Sequence, residues 1–220
     1  MDRTDKLIAI VGAGPGISQA VAHLFGMEGY AIALIARSEE KLKVLQSELF
    51  DTGYRAHIFI ADAANRKSLK TAFKKIEDQI GEVSVLLYNA ARLKKLNILE
   101  ESFTNIADDL KINLGGAMQS VKSVITPMKV KDHGTLLFTG GGLAIQPYPD
   151  YGSLSIGKAA IRSYVQQLAH ELRFTDIKVG TVTIRGFVTP EDEKYNPAAI
   201  AKEFWKLHCD KEKENVEIIY

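Results

Sequence analysis

Residues 7–28, LIAIVGAGPGISQAVAHLFGME, constrain this chain more than any other stretch. A β-rich apolar run from Leu7 to Val11 meets a glycine-dense turn, Gly12, Gly14 and Gly16. A helical pattern follows, with Ile17, Val21, Leu24 and Phe25 on one face. The pattern predicts a strand, a tight turn and a helix, and backbone amides at such a helix N-terminus suit a pyrophosphate. Glycine serves there because a Cβ would hold the backbone off the phosphate oxygens, and because the turn can visit positive φ. The spacing departs from Gly-x-Gly-x-x-Gly at its last position, which is Ile17.

The same alternation continues along the chain. Short apolar runs at Ala31–Ala36, Ala56–Ala61, Val83–Tyr88, Thr135–Thr139, Val179–Ile184 and Val216–Tyr220 read as further strands. Between them lie helical patterns, including long ones over about 103–125 and 151–173. Ser38 is placed to cap a helix whose first turn carries Glu39 and Glu40, and Pro197 opens the last helix. Strands alternating with helices predict an α/β fold: a doubly wound parallel sheet of about seven strands, helices on both faces, one domain over residues 1–220.

Composition narrows the function classes. The formal net charge is +1, with acids and bases interleaved, which argues against a nucleic-acid partner. Lys94–Lys95, Lys129 and Lys131 read as solvated charges. A lone Cys209 excludes an internal disulfide, and no His/Cys cluster has zinc spacing, so no metal site is expected. The charged start MDRTDK predicts no signal peptide, and no apolar run approaches a membrane span. A cytoplasmic protein is the expectation.

The order and spacing of further motifs make the chain resemble the short-chain dehydrogenase/reductase family over nearly its whole length. The family's Gly-x-x-x-Gly-x-Gly falls on Gly12, Gly16 and Ser18, so the third glycine is replaced. Asp62 stands where the family's acidic residue meets adenine, and Asn89-Ala90-Ala91 stands in place of Asn-Ala-Gly. Asn113 matches the catalytic asparagine and Lys158 the active-site lysine, which also binds the nicotinamide ribose. The segment Arg185–Thr189, containing Val188 and Thr189, matches the Pro-Gly segment without its proline. The resemblance implies a Rossmann-like fold and a nicotinamide cofactor.

It breaks at the proton donor. The family's tyrosine precedes its lysine by four residues, and that position is Leu154; the serine position falls on Gly141. The chain therefore resembles an atypical subgroup that keeps the lysine and loses the tyrosine. Reduction of a carbonyl leaves an alkoxide that an acid must protonate, and loss of a general acid typically costs on the order of 10²–10⁴ in rate. Tyr151, two helical turns before Lys158, is the best substitute donor.

Cofactor preference rests on the end of the second strand, where Ala36 and Arg37 replace the acid of an NAD site. The Arg37 fork suits a 2′-phosphate and predicts NADP(H). Near 190–197 only EDEKYN separates two prolines, a shortened substrate lid. The family resemblance further implies a homodimer or homotetramer built on the two long helices. The expected function is an NADP(H)-dependent oxidoreductase acting weakly on a small-molecule carbonyl or alcohol. The alternative is a catalytically silent NADP(H)-binding protein serving as redox sensor or partner scaffold.

Overall fold

A computed structural model describes residues 6–213 and 215–220; the first five residues, in the charged start, lie outside the described residues. Strands β1 (Leu7–Val11), β2 (Ala31–Ala36), β3 (Ala56–Ile60), β4 (Val85–Tyr88), β5 (Gly134–Thr139), β6 (Ile177–Thr183) and β7 (Glu217–Ile219) form one sheet. Its order is β3-β2-β1-β4-β5-β6-β7, and every neighbouring pair is parallel. The helices are α1 (Ile17–Met27), α2 (Glu39–Asp51), α3 (Arg66–Gln79), α4 (Phe103–Leu110), α5 (Ala117–Lys131), α6 (Gly152–Glu171) and α7 (Pro197–Cys209).

Side-chain alternation along the strands makes two cores. Leu7, Ala9 and Val11 of β1 join a cluster with Leu69 and Phe73 of α3, Val121 of α5 and Ile161 of α6. Ile8 and Ile10 point the other way, to Phe25 of α1, Leu42 of α2 and Phe204 of α7. Both faces are thus covered, as an all-parallel sheet requires. The helix starts follow local chemistry: Ser38 accepts from Lys41 N (3.3 Å), and Asn196 accepts from Ala199 N ahead of Pro197. Among the described residues, no helix is long and apolar enough to cross a membrane.

The helix expected over about 103–125 differs in two ways. It widens into a π-helical turn at Lys111–Gly116 between α4 and α5, and it runs on to Lys131. The widening coincides with a tertiary contact, in which the Tyr88 hydroxyl reaches in from β4 and donates to the Ile112 carbonyl. Gly116 makes room: a Cβ there would lie 2.6 Å from the Ala63 carbonyl oxygen as well as against the Tyr88 hydroxyl. The extension past Pro127 follows the core, since Val124 and Met128, one turn apart, are both buried.

Strand order reverses between β1 and β4, and such a switch point leaves a crevice beyond the C-terminal strand ends. Gly12 follows β1 there and Asn89 follows β4, tied by the Asn89 N–H to the Val11 carbonyl (2.8 Å).

Candidate active site

The glycine turn crosses the end of β1 with φ +84° at Gly12 and +88° at Gly16. A Cβ on Gly12 would come within 2.9 Å of the Ala90 Cβ and closer still to its backbone, so glycine lets the two loops touch. Apart from their chain neighbours, no described residue comes within 4 Å of a Cβ position at Gly14 or Gly16. Ile17 opens α1, whose N-cap, Gly16, provides no side-chain cap to the first-turn amides.

Ser18, two residues after Gly16, is buried and binds the turn together. Its Oγ accepts from Gly14 N (3.2 Å) and Asn89 Nδ2 (3.3 Å) and lies 3.1 Å from the Gly12 carbonyl oxygen. The serine thus makes the turn more rigid rather than blocking it.

A hydrogen-bonded chain leads from this turn to the lysine. Asn89 Nδ2 donates to the Gly12 carbonyl (3.2 Å), and Thr139 Oγ1 donates to Asn89 Oδ1 (2.8 Å). Lys158 Nζ then donates to the Thr139 carbonyl (2.8 Å). Lys158 is partly exposed as a residue, yet desolvation around its ammonium lowers its pKa to about 8. Its stem runs along Gly141, where a Cβ would meet Lys158 Cε at 3.3 Å. The lysine stem therefore packs along the bare Gly141 backbone.

Asn113 sits in the π-helical turn, nearly fully buried. Its Oδ1 accepts from Arg92 N (2.8 Å), while its Nδ2 is buried without a partner. Gly157, the neighbour of Lys158, makes this packing possible: a Cβ there would lie 2.5 Å from Asn113 Nδ2. Leu154, one turn before Lys158, is 5% exposed and belongs to neither core cluster.

The remaining expected residues lie along the same edge. Arg37 is exposed after β2; Glu39 is drawn to Lys43 (2.8 Å), and no ion pair forms on Arg37 among the described residues. Asp62, after β3, accepts from Ala64 N (2.9 Å). Val188 and Thr189 lie exposed in the segment after β6. That segment folds back because Gly186 leaves space for the Tyr195 ring, which packs edge-on against Tyr220 at 5.8 Å. No hydrogen bond links Tyr151 to Lys158 among the described residues. Tyr151 caps α6, bridges to Leu96 through its backbone and sets its ring 6.4 Å from that of Tyr148.

Sequence reasoning missed a second cluster beside Asn113. The Asp109 carboxylate is buried, accepts from Ser153 Oγ (2.6 Å) and pairs with Arg92 Nε (3.1 Å). Asp108 and Asp109 look alike in sequence, yet Asp108 is exposed and held by Lys111 (2.7 Å). The available signal was helical spacing, since Asp109 lies three residues after Ile106 and four before Asn113.

A profile described as short chain dehydrogenase matches residues 6–199. The chain belongs to this family. Among curated relatives within it, a 3-oxoacyl-(acyl-carrier-protein) reductase of Homo sapiens is 29% identical over 185 residues, covering 84% of this chain and 76% of that protein. The fold is similar to an alcohol dehydrogenase from the archaeon Thermococcus sibiricus complexed with 5-hydroxy-NADP: TM-score 0.86, 24% identity, 98% of this chain and 95% of that one. It is also similar to an actinorhodin polyketide ketoreductase variant with NADPH: TM-score 0.89, 22% identity, 98% and 96%. Within this fold, Asn113 packs against Gly157, the residue before Lys158, and Leu154, one turn earlier on α6, is buried.

Proposed function

We propose that the chain is an NADP(H)-dependent oxidoreductase interconverting a carbonyl and an alcohol, at a rate limited by Leu154 and so as a member of a subgroup without the tyrosine. The observation that carries this reading is the hydrogen-bonded chain from Gly12 through Asn89 and Thr139 to Lys158. It couples the nucleotide turn to the Lys158 ammonium.

The residues fit the cofactor. The open space at Gly14 and Gly16, beside uncapped amides from Ile17 onward, accommodates a pyrophosphate. Arg37 would hold a 2′-phosphate, Asp62 would meet the adenine, and Gly12, Asn89, Ala90, Val188 and Thr189 would contact the rest of the cofactor. When bound, the nicotinamide supplies or accepts the hydride. Lys158 would hold the ribose hydroxyls, and desolvation lowers its pKa to about 8. Asn113 keeps the π-helical turn and α6 in register through Gly157. Tyr151, at the same end of α6, is the phenol assigned to protonate the alkoxide through water.

The whole chain serves as one dinucleotide-binding domain, with residues near 190–197 as a short lid pinned by Tyr195 and Tyr220. Homodimers or homotetramers form through α4–α5 and α6, supported by exposed Phe103, Met118 and Ile156 on these helices. A monomeric mass by light scattering at micromolar concentration would remove that assembly.

The cofactor assignment is tested by fluorescence titration. NADPH binds more tightly than NADH, and the preference shrinks in Arg37→Ala; equal affinities in the parent overturn the role of Arg37. A panel of reactive ketones and diketones, read by NADPH oxidation, tests the activity. A second reading, a silent NADP(H)-binding redox sensor or scaffold, draws on the burial of Leu154 where a donor would stand.

A further inference from the structure

Burying a carboxylate costs several kcal/mol, and an ion pair between α4, α6 and a loop stabilises no better than apolar packing of similar volume. Asp109 is nevertheless 3% exposed in its side chain, held by the Ser153 hydroxyl on one oxygen and facing Arg92 on the other. Arg92 is different: its side chain is 54% exposed. The guanidinium meets the carboxylate through Nε, and its terminal nitrogens carry no hydrogen bond among the described residues. The backbone of the same residue is fixed by its N–H to Asn113 Oδ1 (2.8 Å), and it lies two residues after Ala90, which packs against Gly12. A planar donor fork therefore starts at the reaction centre, is oriented from beneath by a buried acid, and presents its free edge to solvent.

We propose that Arg92 is the substrate's anion anchor, so that the carbonyl compound accepted at this site carries a carboxylate or phosphate group, with Asp109 as the positioning residue for the fork. This rests on the oxidoreductase reading above for its location but not for its test. The two free terminal nitrogens match a carboxylate or phosphate edge in two-point fashion, which lysine cannot reproduce. The neighbouring Lys94 is already engaged by Glu101 (3.3 Å), whose side chain is fully covered. The Asp109 charge would otherwise repel an anion, and the Arg92 cation paired with it offsets that charge.

The test compares matched probes binding to the protein–NADPH complex, read by quenching of NADPH fluorescence: para-carboxybenzaldehyde against its methyl ester, and glyceraldehyde phosphate against glyceraldehyde. The parent is expected to favour an anionic member by roughly ten- to a hundredfold, the range of a charge-assisted bond. The first pair identifies carboxylate, the second phosphate. In Arg92→Lys the preference falls several-fold, and in Arg92→Met/Asp109→Asn, which leaves no buried charge unpaired, it disappears. Melting curves accompany each variant, and Arg92→Lys keeps the test open if the double variant fails to fold. Equal binding of both members in the parent overturns the proposal, as does a preference that survives both substitutions. If anionic probes bind selectively yet no probe oxidises NADPH, the oxidoreductase reading fails while the anion anchor stands.

Discussion

Leu154→Tyr combined with Gly141→Ser is expected to raise NADPH-dependent carbonyl reduction by an order of magnitude or more over the parent. The tyrosine places a phenol one helical turn from Lys158, and the lysine cation favours ionisation of that phenol toward working pH. The geometry sets the terms of the experiment. A serine Cβ at 141 sits 3.3 Å from Lys158 Cε, so the flexible lysine stem must yield by a few tenths of an ångström. A phenol at the buried 154 position overpacks its surroundings by roughly 1–3 kcal/mol, which a melting curve will register. Tyr151→Phe in the parent completes the set. If it abolishes a measurable parental rate, the enzyme works with a displaced donor. A silent parent with an active double variant identifies a nucleotide-binding protein with a vacated centre. If neither turns over while NADPH binds, the oxidoreductase reading is wrong.

The second large effect separates two glycines that look equivalent in sequence. Gly12→Val is expected to destabilise the fold by about 3 kcal/mol or more, because positive φ is costly for a branched residue and its Cβ meets the Ala90 backbone. Gly16→Val carries the backbone cost alone, roughly 1–3 kcal/mol, since its Cβ projects into open space. Its main effect falls on NADPH, with affinity reduced at least tenfold as the side chain occupies the space beside the α1 amides. Denaturant unfolding and NADPH titration of both variants check the contrast. Unchanged NADPH affinity in Gly16→Val would show that the turn is merely structural.

Much of the fold was legible because its determinants are local. Apolar runs of strand length, capping residues such as Ser38 and the glycine turn each act within a few residues, and they located all seven strands. The turn geometry was equally readable: Gly12 and Gly16 do adopt positive φ. The long helix was read less well. Its π-helical turn meets the Tyr88 hydroxyl, distant in sequence, and no periodicity over 103–125 carries that information.

By itself, the sequence determined the parallel α/β architecture and the strand–turn–helix unit around Gly12, Gly14 and Gly16, and it sets Leu154 one helical turn before Lys158. These follow from residue type and spacing alone. Only the tertiary structure decided what surrounds them. It showed that Ser18 ties the turn, that the Lys158 stem lies along Gly141, and that Asp109 rather than Asp108 is buried against Arg92 and Ser153. The reason is physical: burial and charge pairing depend on which elements meet. Loop, α4 and α6 converge at Asp109 from positions far apart in the chain, where two adjacent aspartates are chemically identical until packing makes one of them solvent-free.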